Sequence, residues 1–216
     1  MNVLQFIQQN HTEVLELTAE HLWLVGASIA LAVLIGIPLG ILITRWPVLG
    51  KPVLGGANII QTIPSLALFG FLLPAPWIGA RADRLAILAL TLTYGAYVSE
   101  VYRAGIESVH WSQTAAARSL GLSYTQTMRH VVVPQAVRRV IPPLLNDFIG
   151  LQKDTSLIGA LGVLDVVSRA RFVNNSKGTL TAYSMGAILF LLVTIPFTRW
   201  LDWLIRRQQA KTLAGR

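Results

Sequence analysis

S-Q-T-A-A-A-R-S-L-G-L-S-Y-T-Q-T-M-R-H-V-V-V-P, residues 112–134, is the longest polar passage away from the chain ends, and it lies between two apolar blocks. Ala115, Ala116 and Ala117 favour helix, and Gly121 after Leu120 supplies the left-handed residue on which a short helix stops. Ser123 offers an N-cap, with Gln126 at the third following position, the capping-box spacing. A second helix is therefore expected to start there and to run through valines 131–133 until Pro134 stops it. The passage reads as helix, tight glycine turn and helix, held at a membrane face.

The same outline, with Ala117 four residues before Gly121, is that of a DNA-binding helix-turn-helix. A membrane-anchored regulator is thus the alternative from another class. Its second helix would offer only Arg129 and His130 to phosphates or bases, too little charge for tight binding.

Only 13% of the 216 residues are charged, 53% are hydrophobic types and mean hydropathy is +0.56. A soluble domain carries about 25% charge, so the balance points to an all-α integral membrane protein. Cysteine is missing from the sequence, and His11, His21, His110 and His130 show neither ligand spacing nor an accompanying acidic cluster, so no metal site is expected. No G-x-x-x-x-G-K-[ST] loop or other phosphate cradle occurs, so this chain is not expected to hydrolyse ATP or to be an enzyme. Trp23, Trp46, Trp77, Trp200 and Trp203 sit near the ends of apolar blocks, where interfacial anchoring explains them.

Five transmembrane helices are expected. Residues 1–20 carry Glu13, Glu16 and Glu20 without any Lys or Arg, and so lack the basic start of a secretory signal. Residues 22–43 then run 22 positions without a charge. At about 1.5 Å per residue this crosses a bilayer core of about 30 Å. Pro38, Gly36 and Gly40 are expected to bend that helix. A second span, 53–73, follows the Trp46-Pro47 turn and holds Gln61, Thr62, Pro64 and Ser65 near mid-membrane. Proline there frees a carbonyl, which is costly in lipid unless the site faces protein or a watery path. A kinked helix with neighbour-bonded polar groups and a path-lining segment both fit. The third span is 85–102 and the last 180–198. The apolar run 140–151 cannot cross alone, so the fourth span extends to 163 and carries Lys153 and Asp154 within or beside the membrane.

Orientation follows from basic residues. With the N-terminus outside, the inner side receives twelve, including Arg45, Lys51, Arg103 and Arg118, against five outside: Arg81, Arg84, Arg169, Arg171 and Lys177. The positive-inside rule selects this arrangement, with residues 1–20 extracytoplasmic, the 103–139 loop and the C-terminus cytoplasmic, and the lipid bilayer rather than nucleic acid as partner.

Ala116-Ala117, Gly121 four residues on, Val131 and Pro134 at their spacing resemble the EAA loop of ABC importer permeases, although Ala115 stands where the motif has its acid. The resemblance implies the type I ABC importer permease fold, with a cytoplasmic coupling helix that seats in an ATP-binding subunit. It carries an ATPase-coupling role onto Ala115, Ala116, Ala117, Arg118, Gly121 and Pro134. It also implies a pair of ATP-binding subunits holding ATP and Mg2+, a second permease copy or paralogue, an extracytoplasmic solute-binding protein and a bacterial inner-membrane location, with no cofactor in this chain. F-I-G-L-Q-K-D-T-S-L-I-G-A-L-G-V at 148–163, Y-R-A-G-I-E-S-V at 102–109 and I-P-F-T-R-W-L-D-W-L at 195–204 resemble permeases of the polar-amino-acid uptake family. H-L-W-L-V at 21–25 and I-Q-T-I-P-S-L-A-L-F-G at 60–70 resemble permeases for glycine betaine and choline.

The candidate solute path takes Gln61, Thr62, Pro64 and Ser65 from the second span and Lys153, Asp154, Thr155 and Ser156 from the fourth. Ionisable groups at membrane depth cost at least about 2.5 kcal/mol each and normally face protein or a cavity. Adjacent helical residues point about 100° apart, so Lys153 and Asp154 are expected to meet different neighbours. A structural ion pair at a dimer seam, or a snorkelling Lys153, is the plainer reading. A charged pair suits the carboxylate and ammonium of an amino acid better than a betaine, whose cation has no donors, so a polar amino acid or related zwitterion is the expected solute.

Overall fold

In the computed structural model, residues 3–74, 81–162, 167–170, 172 and 181–214 are described, and every regular element among them is helical. Val3–Gln9 (α1) and His11–Arg45 (α2) open the chain, and α2 contains the whole charge-free run 22–43. Trp46 is non-helical, and Pro47 begins the next helix at the position where a missing N–H costs nothing. Pro47–Thr62 (α3) and Ser65–Leu72 (α4) follow. Ala82–Glu107 (α5), Trp111–Ser119 (α6) and Tyr124–Thr127 (α7) lead to a π-helical turn, Met128–Val132. Val133–Thr155 (α8) then passes into a 3-10 turn, Ser156–Leu161, and Thr181–Ala214 (α9) closes the fold. The Trp77 reading lies outside the described residues.

Two expectations are corrected. The 53–73 stretch is not one helix: α3 and α4 meet at 100° across Ile63 and Pro64. A proline disfavours helical backbone in the residue before it, and Ile63 is extended at φ −76°, ψ 122°. Pro64 instead opens α4, its carbonyl accepting from Leu68 N–H at 3.0 Å. Pro134 does not stop its helix. In a regular helix its ring would crowd the carbonyl of His130 and leave that group unpaired. The π turn just before it relieves this, with Val133 N–H reaching Met128, five residues back. Elsewhere α2 continues as one helix through Gly36, Pro38 and Gly40 to Arg45.

α2, α5 and the 183–203 stretch of α9 are each long and apolar enough to cross a membrane, and α3 with α4 forms a bent fourth candidate. The remaining expected span falls mainly on α8, whose Arg138, Arg139, Asp147, Lys153 and Asp154 keep it below that apolarity. Its helix turns to 3-10 geometry at Ser156 and ends on left-handed Gly162, φ 81°.

The chain forms two compact units. The first comprises Met1–Ser28, Pro64–Leu90 and Ile149–Arg216. Within it α1 packs on α9, Val14, Leu17, Ala170 and Met185 bury one another, and Glu13 pairs with Arg169 at 2.7 Å. The second comprises Ile29–Ile63 and Thr91–Phe148. Its core joins Tyr102, Ile106 and Val109 of α5 and the following loop to Val132, Ala136 and Val140. On α2, Gly36 and Gly40 lie one turn apart facing Gly95, Val98, Ser99 and Tyr102 of α5, so these glycines serve close helix contact.

Candidate functional site

The 112–134 loop is built as its local chemistry dictates. His110 Nδ1 accepts from the backbone N–H of Ser112 and caps the start of α6. At the other end Gly121 adopts φ 83°, its N–H bonding to the Arg118 carbonyl at 3.0 Å while Leu122 N–H reaches Ala117 at 3.2 Å. These two bonds form a Schellman stop. Ser123 and Gln126 then complete both halves of the expected capping box, at 3.3 and 2.8 Å. Ser123→Ala is expected to cost about 1 kcal/mol of stability, read as a lowered thermal midpoint of the purified chain.

The coupling candidates divide by exposure. Ala115, Ala116, Arg118 and Gly121 lie on the surface, whereas Ala117 is buried within the chain. A Cβ on Gly121 would meet nothing within 4 Å, so inside this chain the glycine is required by its positive φ. Pro134 is exposed in α8 just beyond the π turn. Two exposed residues of the loop were not singled out from sequence: Trp111, 72% accessible, and Leu120, 81%. Trp111 was the one tryptophan away from an apolar block, and that was its signal. Together with Ala115 and Ala116 they make an apolar surface on a short polar helix.

The solute-path candidates fall into two separate groups. In the second unit, Gln61 Nε2 donates to Glu100 Oε2 at 3.3 Å, and Thr62 bonds back to the Ile59 carbonyl at 2.8 Å. Glu100 was missed as a candidate, having been read only as the end of a span. In the first unit, Ser65 Oγ donates to Asp154 Oδ2 at 2.7 Å, just after the Pro64 break. Thr155 is buried and bonds to the Leu151 carbonyl, and Ser156 bonds to that of Lys153. The divergence expected of Lys153 and Asp154 is present: Lys153 is exposed and lines a cavity of about 260 Å³ with Ser156, Tyr183 and Phe190. Buried Gln152 accepts from Thr194 at 2.8 Å, and its amide nitrogen has no hydrogen-bond partner among the described residues. Among those residues no group of His, Asp or Glu could hold a metal ion.

A loop of this build on apolar helices matches a known family. The model of the binding-protein-dependent transport system inner membrane component covers residues 32–210. The chain belongs to this family. Among its relatives, GlnM of Bacillus subtilis, a probable glutamine ABC transporter permease protein, is 38% identical over 69% of this chain and 71% of its own length. OsmW of Salmonella typhimurium, an osmoprotectant import permease protein, is 31% identical over 97% of this chain and 96% of its own. A crystal structure of an amino acid ABC transporter superposes at TM-score 0.73 with 25% identity, over 96% of this chain and 99% of that one. The inward-facing MetNI methionine ABC transporter reaches TM-score 0.79 at 19% identity, over 90% of this chain and 95% of that one, which speaks for the fold. This protein is therefore an all-α ABC importer permease, a multi-pass inner-membrane component. Membership implies partnership with an ATP-binding subunit and a binding protein.

Proposed function

We propose that this permease moves a polar amino acid or related zwitterion inward, delivered by an external binding protein and driven by ATP and Mg2+ bound in the partner subunits. The observation that carries the solute reading is the split of Lys153 from Asp154. Asp154 is engaged by Ser65, whereas exposed Lys153 lines a cavity with the aromatic residues Tyr183 and Phe190. A solute carboxylate can take the Lys153 ammonium, and its own ammonium end the ring faces. Permease relatives of glutamine and glutamate systems support the amino acid. The second reading, a quaternary-ammonium osmoprotectant, is favoured by a relative that matches along nearly the whole chain, and aromatic walls also suit its cation.

In this reading five spans run with the N-terminus outside and the C-terminus and the 103–139 loop in the cytoplasm, and two permease chains, identical or paralogous, work together. ATP binding closes the partner subunits and α6 moves with them through Ala115, Ala116, Arg118 and Gly121. The spans rock, and a central path opens outward to receive solute. Hydrolysis resets the inward state.

The test is ATPase of the reconstituted complex with loaded binding protein, screened with glutamine and glycine betaine. Lys153→Met is expected to cut solute-stimulated turnover about tenfold, the loss of one charge-assisted contact, and Lys153→Arg to recover most of it. Unchanged stimulation in Lys153→Met would remove Lys153 from the path. Stimulation by glycine betaine and by no amino acid would select the second reading.

A further inference from the structure

We propose that the second unit carries a site for the phosphate of an anionic phospholipid, held by Arg45 and Arg129 at the membrane surface where α2 ends. A cavity of about 420 Å³ opens there. Its lining joins apolar Ile41, Met128 and Val133 to the two arginines. Arg45 is fixed in place, its guanidinium lying 4.4 Å from the centre of the Tyr124 ring. Among the described residues neither arginine has a carboxylate partner, the ion pairs there being Arg81 with Asp83, Arg103 with Glu107 and Arg169 with Glu13. Two arginines lining one cavity suit a phosphate, because each guanidinium presents a planar fork of donors to phosphate oxygens.

The apolar lining decides what kind of phosphate. A soluble anion gains nothing from Ile41, which is 43% exposed and stands one turn before Arg45. That turn closes the charge-free run of α2, so Ile41 lies at acyl-chain depth and Arg45 at the headgroup level. This placement rests on the reading of α2 as a membrane span. An amphiphile satisfies both halves: phosphate on the arginines, acyl chain against Ile41 and Val133. A lipid so bound would tie the end of α2 to the π turn, Met128–Val132, that leads out of the coupling loop.

The experiment uses the permease alone and its complex with ATP-binding subunits, each in nanodiscs of phosphatidylglycerol and phosphatidylcholine in equal parts. Lipid retained after release is counted by native mass spectrometry. Wild type is expected to retain phosphatidylglycerol over phosphatidylcholine, and Arg45→Gln with Arg129→Gln to lose that preference about thirtyfold, about 2 kcal/mol for the two arginines together. Arg45→Lys with Arg129→Lys is expected to keep most of it, and Arg138→Gln, outside the cavity, all of it. Equal retention of the two lipids by wild type, which needs no variant to fold, overturns the proposal. So does a preference unchanged in the double Gln variant. If inorganic phosphate in pure phosphatidylcholine nanodiscs raises the thermal midpoint as much as phosphatidylglycerol does, the site takes a free anion and the lipid assignment is wrong. Retention by the permease alone that vanishes in the complex gives the cavity to the ATP-binding subunit and also overturns it. Solute-stimulated ATPase of the complex tests the transport reading separately, since that assay does not depend on which lipid is retained.

Discussion

Gly36→Leu is expected to abolish recovery of folded, monodisperse permease, and Gly36→Ala alone to lower its thermal midpoint. A Cβ at Gly36 would stand 2.7 Å from both the Gly95 carbonyl oxygen and Val98 Cβ. One turn on, a Cβ at Gly40 would stand 2.8 Å from the Ser99 carbonyl oxygen and 3.2 Å from Tyr102 Cβ. The obstructing atoms are backbone and Cβ, which no rotamer change can move aside. α2 and α5 would have to separate, and with them the core in which Tyr102 and Ile106 meet Val132, Ala136 and Val140 loses its boundary. Overpacking of one methyl costs about 1 to 3 kcal/mol, and a leucine adds several more atoms to the same gap. Gly26→Leu is the control, since a Cβ there meets nothing within 4 Å. A Gly36→Leu protein that elutes and melts like wild type would show that α2 does not rest on α5 at this glycine.

What was legible in the sequence was chemistry completed within a few residues. Gly121 with Leu122, and Ser123 with Gln126, satisfy backbone groups locally, so the turn between α6 and α7 could be read outright. Prolines were harder, because each removes one bond and the chain can respond in different ways. At Ile63 and Pro64 it breaks by 100°, whereas before Pro134 it widens into a π turn and goes on. Nothing near either proline in sequence decides between these. The extended Ile63 is followed by Ser65, whose partner Asp154 lies 89 residues away, and the π turn is backed by α6. The contact made by Gly36 and Gly40 was likewise hidden, because the residues they face sit on α5, more than 50 residues on. For the candidate site, the divergence of Lys153 from Asp154 followed from helix geometry alone. The pairing of Asp154 with Ser65 and of Gln61 with Glu100 needed the fold. Trp111 and Leu120 were passed over because the motif is named by its small residues, while the exposed apolar area of the loop is supplied by the large ones.

Gly121→Asn should cost the permease little stability and yet cut solute-stimulated ATPase of the assembled importer about tenfold, a loss of about 1.4 kcal/mol at the coupling contact. Two requirements can hold a glycine at this position, and they predict different series. The first is backbone: φ 83° costs a non-glycine residue about 1 to 2 kcal/mol, least for Asn and Asp and most for β-branched types. The second is room for a partner, because within this chain a Cβ on Gly121 touches nothing. If backbone alone mattered, Gly121→Asn would couple almost normally and Gly121→Val would fail by unfolding the Schellman turn. If the ATP-binding subunit packs on the turn, Asn, Asp and Val all uncouple, and Asn does so with only a small fall in thermal midpoint. Gly121→Asp adds a carboxylate beside exposed Leu120 and should uncouple at least as strongly as Asn. The deciding comparison is therefore stimulated ATPase against melting temperature across the three variants. Normal coupling in Gly121→Asn and Gly121→Asp would move the contact away from the turn, toward the surface of Trp111, Ala115 and Arg118 on α6. Loss of coupling at a nearly unchanged midpoint would put the ATP-binding subunit directly against Gly121.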